Sequence, residues 1–169
     1  MSTPQIRLRA MEPEDLDFLY GLENSREVWD VGNTNVPYSR YVLHDYIANA
    51  SNDIYRDGQV RMIVENSVGM VVGIVDVFDF NAQHRRAEVS IVVKKECRRK
   101  GYGSAVLAEV IDYSRRTLHL RQLYAIVAAT NEASLAVFTK CGFGGENTLK
   151  DWLFDGSKYV DARLLQKIL

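Results

Sequence analysis

The sequence is poor in the residues that build special-purpose scaffolds. Its 169 residues include two cysteines, three prolines and three histidines. Cys97 and Cys141 cannot build a disulfide framework, and nothing favours a single bridge over two free thiols. No close set of histidine and cysteine ligands occurs, so no metal is expected. No apolar window approaches a membrane span, and the opening MSTPQIRLRAMEPEDL lacks the apolar core of a signal peptide. This reads as a soluble, cytoplasmic protein with no membrane partner. Neither sign of charge is in excess. The net charge is −1, so no overall field draws the chain to nucleic acid. Repeats, low-complexity tracts and linkers are absent too. Residues 1–169 are therefore read as one domain, long enough for one substantial core and little more.

What is present is a clear alternation of apolar patterns. Residues 5–10 set Ile6, Leu8 and Ala10 against Gln5, Arg7 and Arg9, the pattern of a half-buried strand. Glu12-Pro13-Glu14-Asp15 opens a helix, with the acids at its positive end. Residues 30–38 are turn-rich. Ser39 then caps a second helix, on which Val42, Leu43, Tyr46, Ile47 and Ala50 recur at helical spacing. Residues 60–64, 71–80 and 88–93 read as strands. Residues 103–117 form an amphipathic helix with Val106, Leu107, Val110 and Ile111 inward. Residues 123–128 are another strand, and residues 131–140 a helix stopped by Gly142. Asp155-Gly156 turns a hairpin between residues 149–154 and 158–165. The expected class is α/β (α+β), with a mixed, mainly antiparallel central sheet flanked by helices.

One turn carries a concentrated charge. Arg98-Arg99-Lys100-Gly101-Tyr102-Gly103-Ser104 joins the strand ending near Val93 to the long helix. Its glycines let backbone N–H groups approach an anion, and the helix start adds unpaired donors and partial positive charge. Together they form a phosphate or pyrophosphate cradle. The P-loop spacing is absent, and Val106 stands where a dinucleotide fingerprint needs its third glycine. A solvated basic turn, merely shaped by its glycines, explains these seven residues alone equally well.

The neighbouring residues decide between those readings. Arg98-x-x-Gly101-x-Gly103 resembles the acyl-CoA signature of the GCN5-related N-acetyltransferases. Ile6 to Arg9 with Glu14-Asp15-Leu16 resembles that family's opening strand and helix. His84 to Glu88 with the following apolar run resembles its central strand. Asn131 to Ser134, continuing to Lys140-Cys141-Gly142-Phe143, resembles its later cofactor helix, and residues 155–161 its terminal hairpin. Within the family the chain is most similar to the branch holding bacterial spermidine acetyltransferases and ribosomal-protein N-terminal acetyltransferases. The resemblance implies acetyl-CoA as co-substrate. It further implies pantetheine paired to Ile91, Val92 and Val93 where the strand splays from its neighbour. The pyrophosphate would lie on amides from Arg98 to Ser104, with Arg98, Arg99, Lys100, Gly101, Tyr102, Gly103 and Ser104 as the cradle. Asn131 would bond the pantetheine arm, with Ser134 and Phe138 nearby. Asn131 also reads as an ordinary helix cap.

Acetyl transfer needs a neutral amine, yet an alkylamine has a pKa of roughly 10. Glu88 is the candidate catalytic base, on the strand face it shares with Ser90 and Val92. A surface glutamate paired with Arg85 or Arg86 is the plain alternative. The free N–H of Val92 or Val93 is the candidate donor to the developing oxyanion. Polyamine-acetylating relatives keep a tyrosine on the later helix to protonate the sulfur; matching Asn131 and Gly142-Phe143 puts Phe138 there. Cys141, Tyr102, Tyr38 and Tyr159 are the alternative acids. The acceptor is read as a small-molecule amine, polyamine included, or a peptide N-terminus. The loop Val31-Gly32-Asn33-Thr34-Asn35-Val36 carries no acid, which weakens the polyamine reading. Asp30, Asp45, Asp76 and Asp79 are the remaining acids that can contribute, while Trp29 and Tyr38 can wall a pocket. A catalytically weak acyl-CoA-binding regulatory module is the alternative function, and self-association into a homo-oligomer is left open.

Overall fold

The computed structural model describes residues 3–29 and 36–169, excluding the side chains of Trp29 and Glu146. The chain runs β1 (Ile6–Arg9), α1 (Leu16–Glu23), α2 (Arg26–Trp29), α3 (Arg40–Asn49), α4 (Ile54–Asp57), β2 (Val60–Asn66), β3 (Val71–Asn81) and β4 (Arg86–Val93). It continues α5 (Tyr102–Arg116), β5 (Gln122–Ala128), α6 (Glu132–Lys140), β6 (Gly144–Phe154) and β7 (Tyr159–Ile168). All seven strands form one sheet in the order β1-β2-β3-β4-β5-β7-β6. Every neighbouring pair is antiparallel except β4 with β5. That parallel pair needs a crossover, and the 15-residue α5 provides it.

The sheet is covered on both faces. On one face Val89, Val75, Leu123 and Ala125 pack with Val106, Leu107 and Val110 of α5 and Phe138 of α6. On the other, Ile63, Ile74 and Val92 pack with Leu19 of α1 and Ile47 of α3. Two-sided cover explains why Met62, Ile63, Val64 and Glu65 of β2 are all buried in succession. Burial of Glu65 is tolerated because Arg7 and Arg9 of β1 both pair with it, and Arg9 also holds buried Asp15 at 2.8 Å. Burial alone would raise the Asp15 carboxyl, but Arg9 and the Glu12 amide outweigh it and hold it below its usual range.

The sequence pattern and the structure differ in three places. The short helices α2 and α4 fall in stretches to which the sequence pattern assigns no element. The terminal hairpin is longer than expected, with β6 starting at Gly144 and β7 running to Ile168. On β7, Ala162 and Leu165 are buried while Leu164 is only partly so. Ala162 and Leu165 lie on opposite faces of the sheet, so strict alternation fails on β7. Asp30 and the loop from Val31 to Asn35 lie outside the described residues, as does the Trp29 side chain.

Candidate active site

The sheet opens at its centre. β4 and β5 pair only over Arg86↔Gln122, Ala87↔Leu123 and Glu88↔Tyr124. Beyond Glu88 no residue of β4 pairs with β5, although β4 stays fully paired to β3 as far as Val93↔Gly73. β5 likewise stays paired to β7 as far as Ala128↔Ala162. Residues 89–93 thus keep one laddered edge and one open edge, with β5 diverging on the open side.

The direction of the open backbone groups follows from strand geometry. The Lys94 N–H donates to the Val72 carbonyl on β3 at 2.8 Å. The Val92 carbonyl also reaches β3, beside Gly73. Backbone groups alternate sides along a strand, so those of Val93 face the opening. The Val93 carbonyl is taken by Arg98 Nε at 3.0 Å. Its N–H faces the gap. Of the two expected oxyanion donors, only Val93 turns its N–H to the opening, and it stands five residues beyond Glu88 along β4.

Glu88 sits at the apex of the opening. It accepts a hydrogen bond from the Ile126 N–H on β5, and no basic side chain pairs with it among the described residues. The pairing with Arg85 or Arg86 is therefore not formed. Burial pushes the Glu88 carboxyl up to about 7, Asp79 adds negative charge in the same direction, and the Ile126 bond opposes both. The apex is acidic on one side. Phe78 lies opposite Glu88 in register, and the next residue, Asp79, accepts a hydrogen bond from the Tyr124 hydroxyl. Burial and that bond hold Tyr124 above the ordinary phenol range. Glu88 shares its strand face with Ser90 and Val92, and Val92 packs toward α1 and α3. The candidate base therefore looks toward the early helices.

The other acids named from sequence are separated by their partners. Asp76 is held by Arg61 at 2.7 Å, and Arg61 also pairs with Glu23 of α1. Asp45 accepts from Asn49 at 2.9 Å on α3. Among the described acids of that set, Asp79 alone joins Glu88.

The glycine turn closes the open end of β4. Gly101 takes φ +85° and caps α5, so the chain enters the helix through a left-handed residue. A Cβ at Gly103 would lie 3.3 Å from Val137 of α6 and 3.7 Å from Ile91 of β4. Glycine there lets three elements meet at the head of the opening, while Ser104 continues the first turn of α5. Arg99, at φ +58°, and Lys100 are exposed on the turn. Arg98 is not a loose rim charge: it grips Glu27 of α2 with two bonds of 2.9 Å. Tyr102 packs in part against the core.

On α6, Asn131 caps the helix through Oδ1, which accepts from the Ser134 N–H at 3.1 Å. The cap leaves its Nδ2 donors uncommitted in that bond. Phe138 is buried at 3 % exposure, edge-on to Phe143 at 5.0 Å between ring centres. It has no proton to give. Of the other named acids, Cys141 lies 3.8 Å from the Ser104 carbonyl, and burial pushes its thiol up. Tyr38 is tied through its backbone to Asn24, and Tyr159 is 65 % exposed on β7. Among the described residues no group of three or more metal-ligating side chains occurs, and no helix is long and apolar enough to cross a membrane.

Sequence reasoning missed Tyr124, Glu27 and Gly73. Only Gly73 left a signal there: a lone glycine inside an apolar strand marks close backbone approach.

Comparison with known proteins places the family and the fold. Residues 5–144 match the family model described as an acetyltransferase (GNAT) domain. The spermidine N(1)-acetyltransferase of Escherichia coli K12 is 31% identical over 95% of this chain and 84% of its own length. That of Vibrio cholerae is 29% identical over 94% and 90%. The crystal structure of the Vibrio cholerae spermidine N-acetyltransferase with CoA and spermine superposes with a TM-score of 0.85 at 28% identity. It covers 97% of this chain and 95% of that one. A dodecameric form of the same enzyme superposes with a TM-score of 0.81 at 29% identity, covering 97% and 94%.

Proposed function

Because this chain belongs to the GNAT acetyltransferase family, we propose that it moves the acetyl group of acetyl-CoA to a small cationic amine of the polyamine class, with Glu88 as general base. The observation that carries this reading is the opening between β4 and β5 with two acids, Glu88 and Asp79, at its apex. A polyamine arrives as a cation and must lose a proton at one nitrogen before it attacks. Asp79 attracts the cation, and Glu88, with its carboxyl near 7, accepts the proton at neutral pH.

The thioester arm extends along the open edge of β4, pairing with the backbone of Ile91 and Val93. Asn131 donates to it from α6, beside Ser134 and Phe138. The pyrophosphate rests on amides of the turn from Arg98 to Ser104, where backbone donors and the helix dipole act together. The amine nitrogen bonds to the acetyl carbon as the carbon–sulfur bond breaks. Glu88 passes that first proton to water and takes the second from the nitrogen as it bonds, while negative charge on the acetyl oxygen meets a free backbone N–H on the open edge of β4. Phe138 leaves sulfur protonation to water. A thiol with a pKa near ~8.5, by analogy with cysteine, asks for little acid help. The regulatory-module reading is therefore not needed. Two relatives and the spermine complex support the polyamine class. The acid-free loop, residues 31–36, favours a peptide N-terminus as the second reading. The dodecameric neighbour supports self-association.

The test is CoA release with spermidine, spermine, an aminoglycoside and an N-terminal peptide amine. Turnover is expected with the polyamines. Turnover with the peptide alone would move the acceptor to the second reading.

A further inference from the structure

Asp79 reaches the apex through an irregularity in β3. Regular alternation would turn it to the sheet face covered by α5, opposite to Phe78. The register of β3 on β4 slips between Phe78↔Glu88 and Asn81↔Arg86, and Asp79 takes φ +49° in that bulge. A bulge re-aims a side chain. Asp79 is turned to the Glu88 face, where the Tyr124 hydroxyl donates to it. Tyr124 is on that face as the register partner of Glu88, while Leu123 and Ala125 pack on the α5 side. β3 and β5 flank β4 on either side, so their backbones are about 9–10 Å apart. The Tyr124–Asp79 bond thus bridges β5 to β3 over the top of β4.

Register fixes where the bridge crosses. Tyr124 pairs with Glu88, and Asp79 lies between the β3 partners of Glu88 and Arg86. The crossing point on β4 is between those two residues. Arg86 shares the Glu88 face roughly 7 Å back along the strand, within reach of a long side chain. Yet Arg86 enters no ion pair among the described residues. Its charge is felt at Tyr124, whose hydroxyl is pushed up by burial, Asp79 and Glu88 and pulled down by Arg86. The charge felt at Glu88 is that of Asp79. Further along this face Asp76 and Glu23 of α1 are both paired with Arg61, and the Arg61 guanidinium lies 5.8 Å from the ring centre of Tyr46 on α3. We infer that Tyr124 is a positioning residue for the proton transfer: its bond to Asp79 stands between Arg86 and Glu88 and leaves the base without a cationic partner. This rests on the reading of Glu88 as general base. Without the bridge Arg86 is free to close on Glu88, and an opposite charge within about 4–6 Å lowers a carboxyl by roughly one to three pH units.

The test reads two midpoints, the titration of the Glu88 carboxyl carbon by NMR and the acidic limb of kcat/KM. In the wild type both are expected near 7. A limb that survives in Glu88→Gln overturns the base and this inference together. In Tyr124→Phe, which keeps the ring and removes the donor, both midpoints are expected to fall by about one pH unit or more. Adding Arg86→Gln to that variant is expected to return both to the wild-type values. Arg86→Gln alone is expected to leave them in place, since the bridge already holds that charge off. A Tyr124→Phe enzyme whose midpoints stay, or whose only change is a raised KM for the amine, overturns the inference and leaves Glu88 as the base. So does a fall that Arg86→Gln fails to reverse. A rise of about one pH unit in the single Arg86→Gln variant overturns it as well, whether or not Tyr124→Phe folds, because Arg86 would then already act on Glu88.

Discussion

At the scale of single residues, Glu88 as the proposed base would link activity and stability through one proton. Its carboxyl titrates near 7 in the fold and at the ordinary glutamate value of 4.5 in the unfolded chain, because burial and Asp79 disfavour its charge in the fold. Between those values the folded state holds a proton that the unfolded state has lost. Stability from this group therefore falls as pH rises from about 4.5 to 7, and stays low above that. Glu88→Gln removes the buried charge and can still accept from Ile126. It is expected to leave the melting temperature unchanged near pH 4 and to raise it above pH 7, read by thermal melts across pH. Activity moves the other way. The acidic limb of kcat/KM, expected near pH 7, should vanish in Glu88→Gln, with a loss of about 100-fold or more at neutral pH. A variant with wild-type activity at every pH would remove Glu88 as the base. Phe138 poses the complementary question. Phe138→Tyr restores the hydroxyl of the polyamine-acetylating relatives and is expected to raise kcat by no more than about ten-fold, since the thiol leaves readily. A rate decrease without loss of folding would show that the buried ring serves packing against Phe143 and leaves no room for an acid.

At the scale of elements, β1 and the long helices were legible from periodicity, since one-sided burial writes itself into the sequence, and the covered strands β2 and β3 from their apolar runs. Ser39 caps α3, Asn131 caps α6, and both were visible as caps. The opening of β4 from β5 was not written there. Val89 to Val93 are apolar whether the strand has two hydrogen-bonded neighbours or one, so only the family resemblance predicted the splay. Glu88 stood out in the sequence as a candidate base, while its Ile126 bond and Asp79 neighbour depend on strands far apart in the chain. The same holds for Arg98 and Glu27, 71 residues apart. That ion pair ties the proposed phosphate turn to α2. Both partners are well exposed, so its effect on stability is small, up to about 1 kcal/mol. Its effect on the cofactor is larger in meaning than in size. Glu27→Gln releases the guanidinium toward the pyrophosphate, and acetyl-CoA is expected to bind up to about five-fold more tightly by calorimetry. Weaker binding would show instead that the pair holds the turn in its receptive shape.

At the scale of the whole molecule, the sheet is two laddered halves, β1 to β4 and β5 to β6, joined by three residue pairs. The proposed pantetheine takes the place of the missing strand, so acetyl-CoA should join the halves where the protein does not. Two observables follow. Acetyl-CoA at about 100 times its Kd adds roughly 2.7 kcal/mol to unfolding, a rise in melting temperature of about 5–10 °C for a domain of this size. Hydrogen exchange should change in an alternating pattern along β4. The amides of Ile91 and Val93, which face the opening, should gain protection with acetyl-CoA. The Val92 amide, which the alternation turns toward β3, should be slow with or without it. Protection spread evenly over residues 89–93 would mean general stiffening of the sheet. Protection confined to residues 98–104 would mean that only the pyrophosphate end is held. Either result would break the link between the open ladder and the thioester, because a ligand paired as a strand must distinguish odd residues from even ones.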